Sequence, residues 1–303
     1  MTRTRPLRLG TRGSPLALVQ ANMVAAALRT AHGWDDGAVE IVPVKTTGDR
    51  VQDRPLAEIG GKALWTKELD RALLDGDIDF AVHSMKDVET IRPEPIRIAA
   101  MLPRADVRDR LIGAASIAAL PHGARIGTSS PRRAAQLRHL RPDVSIVPFR
   151  GNVDTRLRKL AEGEADATLL AAAGLERLER PDIGVPIALD VMLPAPAQGA
   201  VGIEARADDG ETQALLAAID HGETHACVAI ERAFLAALGA DCHSPVAALA
   251  TSGGGLRGEL LSEDGAYHVT GHRTSAGLAE AAELADWLLG QAPPAIARLF
   301  AGR

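Results

Sequence analysis

The chain has 303 residues, of which 46% are hydrophobic and 24% charged, values that exclude a disordered polymer and leave enough apolar material for two or three cores. No stretch approaches the roughly 18 apolar residues of a membrane helix, and the arginine-rich start, Met1 to Gly13, has no apolar segment of the kind a secretory signal needs. Cys227 and Cys242 are the two cysteines; they make no disulfide framework, and a reducing cytosol is the expected compartment.

Leu7 to Thr11 reads as a strand and Pro15 to Arg29 as a helix. Val39 to Lys45 follows as a strand, Leu64 to Leu74 as a helix and Ile78 to Ser84 as a strand. Such alternation predicts a parallel sheet with helices on its faces. The middle of the chain repeats the plan. Gly10-Thr11-Arg12-Gly13-Ser14-Pro15 recurs one residue shorter as Gly127-Thr128-Ser129-Ser130-Pro131, each a strand running into a serine N-cap and a proline at the first helical position. Leu73 to Asp79 is echoed by Leu160 to Asp166, each a helix end, a glycine stop and an acidic pair before an apolar strand. The matching order of the two echoes points to a duplicated α/β unit. Two such lobes commonly bind ligand in the cleft between them. Crossings are expected near Ala99 to Arg104 and at Leu193 to Ala197, with Gly199 to Ala205 returning to the first lobe. From about Glu223 the pattern changes to a helix, Val228 to Leu238, short strands around Gly253 to Thr270, and an amphipathic helix at about Ala276 to Leu289.

Charge is uneven. Between Arg125 and Lys159 nine Lys/Arg face Asp143 and Asp154, a local balance of +7 in a chain of net −5, which suggests an anionic ligand. Helix N-termini offer free N–H groups. Here Arg12 precedes one helix and Arg132 and Arg133 open another, where they oppose the helix dipole; guanidinium forks suit carboxylates, and phosphate nearly as well. Arg150 and Arg156 flank a further helix start. His83-Ser84-Met85-Lys86-Asp87 ends an apolar strand, where open α/β sheets bind ligands. Gly60-Gly61-Lys62 is a backbone-amide loop without Walker spacing. Cys242 sits in a polar loop, Ala240 to Pro245, and reads as a reactive or attachment thiol; Cys227 reads as core. No zinc spacing is present. A two-lobed solute-binding protein and a Cys-dependent hydrolase both remain open from these residues alone.

The ordered motifs Gly10 to Leu18, Thr46 to Asp49, Gly60 to Leu69, Ala81 to Val88, Gly127 to Leu137, Arg150 to Leu157, Ala171 to Leu178, Gln198 to Glu204 and Glu231 to Cys242 together resemble porphobilinogen deaminase over nearly the whole chain. The resemblance implies two type II periplasmic-binding-protein-like α/β domains with a ligand cleft between them, plus a small C-terminal α+β domain. Their expected bounds are 1–99 with 200–222, 100–199, and 223–303. It implies condensation of four porphobilinogen molecules into hydroxymethylbilane with loss of ammonia. Growth takes place on a dipyrromethane cofactor joined by a thioether to Cys242. By position Asp87 is the catalytic carboxylate. Arg12, Arg132, Arg133, Arg150, Arg156 and Arg177 fall on carboxylate-binding positions, and Ser14, Lys62, Lys86, Thr128, Ser129 and Ser130 on supporting ones. The expected partner is a small-molecule substrate, not nucleic acid or a membrane; a monomer with no metal is expected. The chain departs from the family pattern at Val88-Glu89, where Val-Pro is usual, at Ala63 and Trp65, and at Ala240 to Ser244, which replaces a Gly-Gly-Cys type of loop.

Overall fold

The computed structural model describes residues 5–45 and 66–302, and the chain divides into two compact units, 1–104 with 200–225 and 105–199 with 226–303. In the first, β1 (Leu7–Arg12), β2 (Val39–Val44), β3 (Phe80–Ser84), β4 (Ile96–Met101) and β10 (Val201–Arg206) form a sheet in the order β2-β1-β3-β10-β4. Strands β2, β1 and β3 run parallel, while β10 is antiparallel to both its neighbours. Phe80 to His83 are buried without alternation, as expected of a strand covered on both faces. Helix α1 (Pro15–His32) buries Ala21, Val24, Ala25 and Leu28 against Leu9, Phe80 and Ile203. Helix α2 (Lys67–Leu74) buries Leu69 and Leu73 against Ile78 and Ala81 on the other side. Each leucine buried this way stabilises the lobe by about 1.5–3 kcal/mol before entropy is counted.

In the second unit β5 (Asp109–Ile112), β6 (Arg125–Gly127), β7 (Ser145–Val147), β8 (Ala167–Ala171) and β9 (Val185–Pro186) form a sheet in the order β7-β6-β8-β5-β9. Again three strands are parallel and the fourth, β5, is inserted antiparallel. The two sheets therefore share one plan, and the duplication extends to individual hydrogen bonds. Asp79 accepts from the backbone N–H of Arg8 at 2.8 Å, and Asp166 from that of Arg125 at 2.7 Å. Gly76 and Gly163, which stop the preceding helices, have φ of 76° and 75°, a left-handed conformation that glycine adopts at least cost.

The same unit holds an antiparallel meander of β11 (Val246–Ala250), β12 (Leu256–Leu261) and β13 (His268–Arg273). It packs on helix α8 (Leu278–Gln291) and on the C-terminal part of α7 (Gly222–Leu238) through Phe234, Leu238, Leu260, Leu284 and Leu288. Glu231, on α7, accepts from the N–H groups of Ala197 and Ala250, so one buried carboxylate ties the proline-rich segment to the meander. Two sequence expectations shift. Helix α7 starts six residues before Val228, capped by His221, whose Nδ1 accepts from the Thr224 N–H at 3.3 Å; histidine is not a usual capping signal. The meander starts at Val246, and Gly253 lies in the turn between its first two strands. The aromatic-poor composition predicts an aliphatic core, yet Phe80, Phe149 and Phe234 are among the largest fully buried side chains.

Candidate active site

In the first unit, Arg12, Ser14, His83 and Asp87 line a small cavity open to solvent, together with Gln20, Thr66 and Ser84. Ser14 caps α1, accepting from the Ala17 N–H at 3.3 Å, with Pro15 at the first helical position. That cap turns the chain sharply after β1 and sets Arg12 at the sheet's C-terminal edge. Gln20, one turn further along α1, donates from Nε2 to Ser84 Oγ at 2.8 Å, fixing the end of β3 against the helix. A 3-10 turn, Met85–Asp87, then carries Lys86 and Asp87. Met85 is buried, and a Cβ at Gly202 would come within 2.0 Å of its sulfur. Only glycine on β10 lets Met85 seat, and Met85 N–H donates to Ala200 O at 3.1 Å to complete the anchor.

Behind the cavity lies a charged cluster with no local sequence signal. His83 Nε2 is 3.1 Å from Glu204 Oε2. Glu204 accepts from Arg92 Nε and Nη2 at 2.7 and 2.9 Å. Arg92 also pairs with Asp70 and Glu89, and Glu89 accepts from Thr66 Oγ1 at 2.7 Å. Burial would raise the Glu204 carboxyl, but His83 and Arg92 bring it down to about 2. Burial raises that of Asp70, with a further push from Glu204, against the pull of Arg92.

The second unit gathers the other arginines. Ser130 caps helix α3 (Pro131–Leu140). Thr128 Oγ1 accepts from the Ser130 N–H, and Ser129 Oγ donates to Phe149 O at 2.9 Å, which brings this corner beside Arg150. A Cβ on Gly127 would meet the Phe149 ring at 2.4 Å, so the close approach needs glycine there. Asn152 caps helix α4 (Val153–Ala161), and Arg156 Nε donates to Gly151 O at 3.0 Å. Arg177 Nη2 donates to Gly199 O at 2.7 Å. Arg132 and Arg133 are buried and grip the two oxygens of Asp109 at 2.8 and 2.6 Å. Burial would raise the Asp109 carboxyl, but the two guanidinium groups hold it well below the usual range. The basic first turn is thus neutralised within the fold, and Asp109 supplies a partner that a sequence reading of α3 alone lacks. Among the described residues six guanidinium atoms are buried without a hydrogen-bond partner; Arg8 Nε and Arg110 Nε lie on other arginines, and the remaining four are Arg132 Nε, Arg133 Nε, Arg150 Nη1 and Arg177 Nε. Buried donors are rarely left unpaired, and an anionic ligand's oxygens suit them.

Cys242 is exposed and Cys227 buried, and neither forms a disulfide. The helix before Cys242 ends at Gly239, whose φ is 63°, and Ala240 N–H donates to Leu235 O at 2.9 Å. Asp241 Oδ1 then accepts from the His243 N–H at 2.9 Å, an Asx turn with Cys242 at its tip. Neither Ala240 nor Asp241 takes a positive φ, so the absent glycines are not needed for this loop. Lys62, Ala63 and Trp65 lie outside the described residues. The sequence reading misses Gln20, Thr66, Arg92, Glu204 and Asp109. Glu204 and Asp109 each carry a signal in retrospect, a carboxylate within an otherwise apolar strand, which must find a partner.

Two family models match the chain: "Porphobilinogen deaminase, dipyromethane cofactor binding domain" over residues 7–214, and "Porphobilinogen deaminase, C-terminal domain" over residues 225–289. A porphobilinogen deaminase from Sphingopyxis alaskensis is 62% identical, covering 99% of this chain and 98% of its own. One from Paracoccus denitrificans is 51% identical, covering 95% of each. Among solved structures, the periplasmic VFT2 domain of Bordetella pertussis BvgS is 15% identical with a TM-score of 0.39, covering 71% of this chain and 86% of its own. A substrate-binding domain of an amino acid ABC transporter from Streptococcus pneumoniae is 12% identical with a TM-score of 0.42, covering 78% and 95%.

Proposed function

The chain belongs to the porphobilinogen deaminase family, whose members join four porphobilinogen molecules head to tail into hydroxymethylbilane with loss of ammonia, and from that premise we propose how its own residues carry the reaction. Asp87 is the catalytic carboxylate, and the observation that carries this reading is its place on the wall of the cavity that also holds Arg12, Ser14 and His83. Bound dipyrromethane supplies the pyrrole end on which the chain is extended. Cys242, the exposed thiol at a turn tip, is its attachment point. The buried unpartnered donors of Arg132, Arg133, Arg150 and Arg177 fit its acetate and propionate groups and those of the growing chain. Arg156 joins them, with Thr128, Ser129 and Ser130 holding the corner in shape.

Arg12 takes a carboxylate of incoming porphobilinogen, assisted by Ser14, Lys62 and Lys86. Asp87 meets the aminomethyl end. Its carboxylate holds the ammonium form that leaves as ammonia, stabilises the azafulvene cation left on the substrate, and accepts the proton released when the new carbon–carbon bond forms. Each pyrrole adds two carboxylates, so product charge grows with every round, and cationic side chains must accommodate it. The domains act as 1–99 with 200–222, 100–199 and 223–303, in a cytoplasmic monomer.

The test is single-turnover incorporation of porphobilinogen into Asp87→Asn holoenzyme assembled from preformed product. The substitution keeps shape and removes charge. We expect the rate to fall by at least about 10²-fold, while the denatured protein retains the cofactor mass on the Cys242 peptide. A near-native rate would require another catalytic group.

A further inference from the structure

Within the first unit, one guanidinium sits behind two groups of the cavity wall around Asp87. Arg92 is 8% exposed and pairs with three carboxylates from three separate places in the sequence: Asp70 on α2, Glu89 two residues beyond Asp87, and Glu204 on β10. Glu89 and Glu204 pass the constraint on. Glu89 holds Thr66 by its hydroxyl, and Thr66 lines the cavity. Glu204 lies 3.1 Å from Nε2 of His83, which lines the cavity too. The backbone from His83 to Glu89, with Asp87 inside it, is therefore bracketed by two carboxylates bound to the same arginine.

We propose that Arg92 is a positioning residue for the reaction, setting the Asp87 carboxylate and the His83 and Thr66 walls of the cavity through its ion pairs with Glu89, Glu204 and Asp70. The inference rests on the reading of Asp87 as the catalytic carboxylate. A forked guanidinium is needed because it engages several carboxylates in fixed directions, whereas an ammonium acts as a point charge. Among the described residues the cluster also holds three carboxylates against one arginine and one imidazole. Its excess of acidic groups lies behind the wall where the substrate develops positive charge, an arrangement that favours the cation over the neutral ground state.

The experiment compares native holoenzyme with Arg92→Lys and Glu89→Gln, each alone and combined with Asp87→Glu, measuring kcat, KM and the thermal midpoint. Displacements of about 1 Å can cost up to 10²-fold in rate. Arg92→Lys should therefore lower kcat by about 10-fold, with KM within about twofold, at temperatures far below its midpoint. Glu89→Gln, which leaves Arg92 two carboxylates, should lower kcat by about threefold. If the effect runs through Asp87, both losses shrink towards unity in the Asp87→Glu background, where the carboxylate is already displaced. Equal losses in the two backgrounds, or a lowered midpoint with native kcat, would overturn the proposal and leave Arg92 a structural ion-pair centre. Should Arg92→Lys fail to fold, the Glu89→Gln cycle decides by the same criterion. If Asp87→Asn retains native turnover, the reading of Asp87 falls and this inference with it. If Asp87→Asn is inactive but the Arg92 and Glu89 variants have native kcat, this inference alone falls.

Discussion

Both α/β units carry a buried carboxylate on the antiparallel strand inserted beside the third parallel one, Glu204 on β10 and Asp109 on β5. The two are neutralised in opposite ways. Glu204 shares one arginine, Arg92, with Asp70 and Glu89, so among the described residues of this cluster acids outnumber guanidinium groups three to one. Asp109 faces Arg132 and Arg133 and accepts from Gln198 as well, so guanidinium groups outnumber acids two to one. The scaffolds match down to the aspartates that tie β1 and β6, yet the charge built into them has reversed. A duplicated sheet fixes where a buried ion can sit, and the sequence then chooses its sign. An acidic lobe suits a substrate that becomes a cation, and a basic lobe suits carboxylates that accumulate.

The contrast breaks first at its centre. Asp109→Asn leaves two buried guanidinium groups without a counter-ion, which should cost about 3–5 kcal/mol and move the urea midpoint accordingly. Glu204→Gln leaves Arg92 with Asp70 and Glu89, and should cost about 1–3 kcal/mol. Equal losses would mean that the two centres do not differ in how they share charge. The depressed Asp109 carboxyl has a sign as well. Its stabilisation is present above the unfolded value near 4 and is lost only as pH falls through its much lower folded value.

A middle-sized effect concerns ligand rather than stability. Arg150→Leu and Arg177→Leu each remove a buried donor that has no partner among the described residues. Loss of one charge-assisted bond to a carboxylate is worth about 1.5–3 kcal/mol, or roughly 10- to 150-fold in affinity. We expect cofactor content or porphobilinogen affinity to fall on that scale with the urea midpoint little changed. Large destabilisation with native cofactor content would assign these arginines to the fold.

Much of this plan can be read along the chain. The Ser-Pro corners at Ser14 and Ser130 form the expected caps, and Asp79 and Asp166 occupy matching places, because both devices are local and depend on a few consecutive residues. Charge is harder to read. The segment from Arg125 to Lys159 counts +7, but Arg125 pairs with Asp166, Lys159 with Glu164, and Arg132 and Arg133 with Asp109. These partners lie outside the counted window, so a tally along the sequence overstates the charge in space. Arg92 is illegible for the same reason: its carboxylates stand at positions 70, 89 and 204. Cys242 is legible as an exposed thiol because a glycine stop and polar neighbours announce a loop.

The smallest effect separates two copies of one device. Asp79 and Asp166 each accept from a backbone N–H at the start of a parallel strand, β1 and β6 respectively, and pair with arginine. Asp79 is 4% exposed and meets Arg5 and Arg8, whereas Asp166 is 39% exposed and meets Arg125 alone. Burial opposes ionisation of Asp79, but Arg5 and the Arg8 N–H prevail and lower its carboxyl to about 2. A carboxyl depressed in the folded state stabilises above its unfolded value and loses that stabilisation as pH falls towards the folded one. The window here runs from about pH 4 down to about pH 2. At pH 7 the contribution is about 1–2 kcal/mol once screening at half-exposed Arg5 is allowed for. Asparagine keeps the acceptor oxygen for the backbone N–H and removes the charge, so Asp79→Asn should lower the urea midpoint at pH 7 and lower it less at pH 3. Asp166→Asn should move it by a smaller amount at pH 7, since solvent and salt screen its pair. Adding 0.5 M NaCl should erase the Asp166 effect before that of Asp79, because screening acts on exposed pairs first. Identical shifts, with identical salt dependence, would mean that burial has not made the two copies different and that the shared backbone bond carries the whole effect.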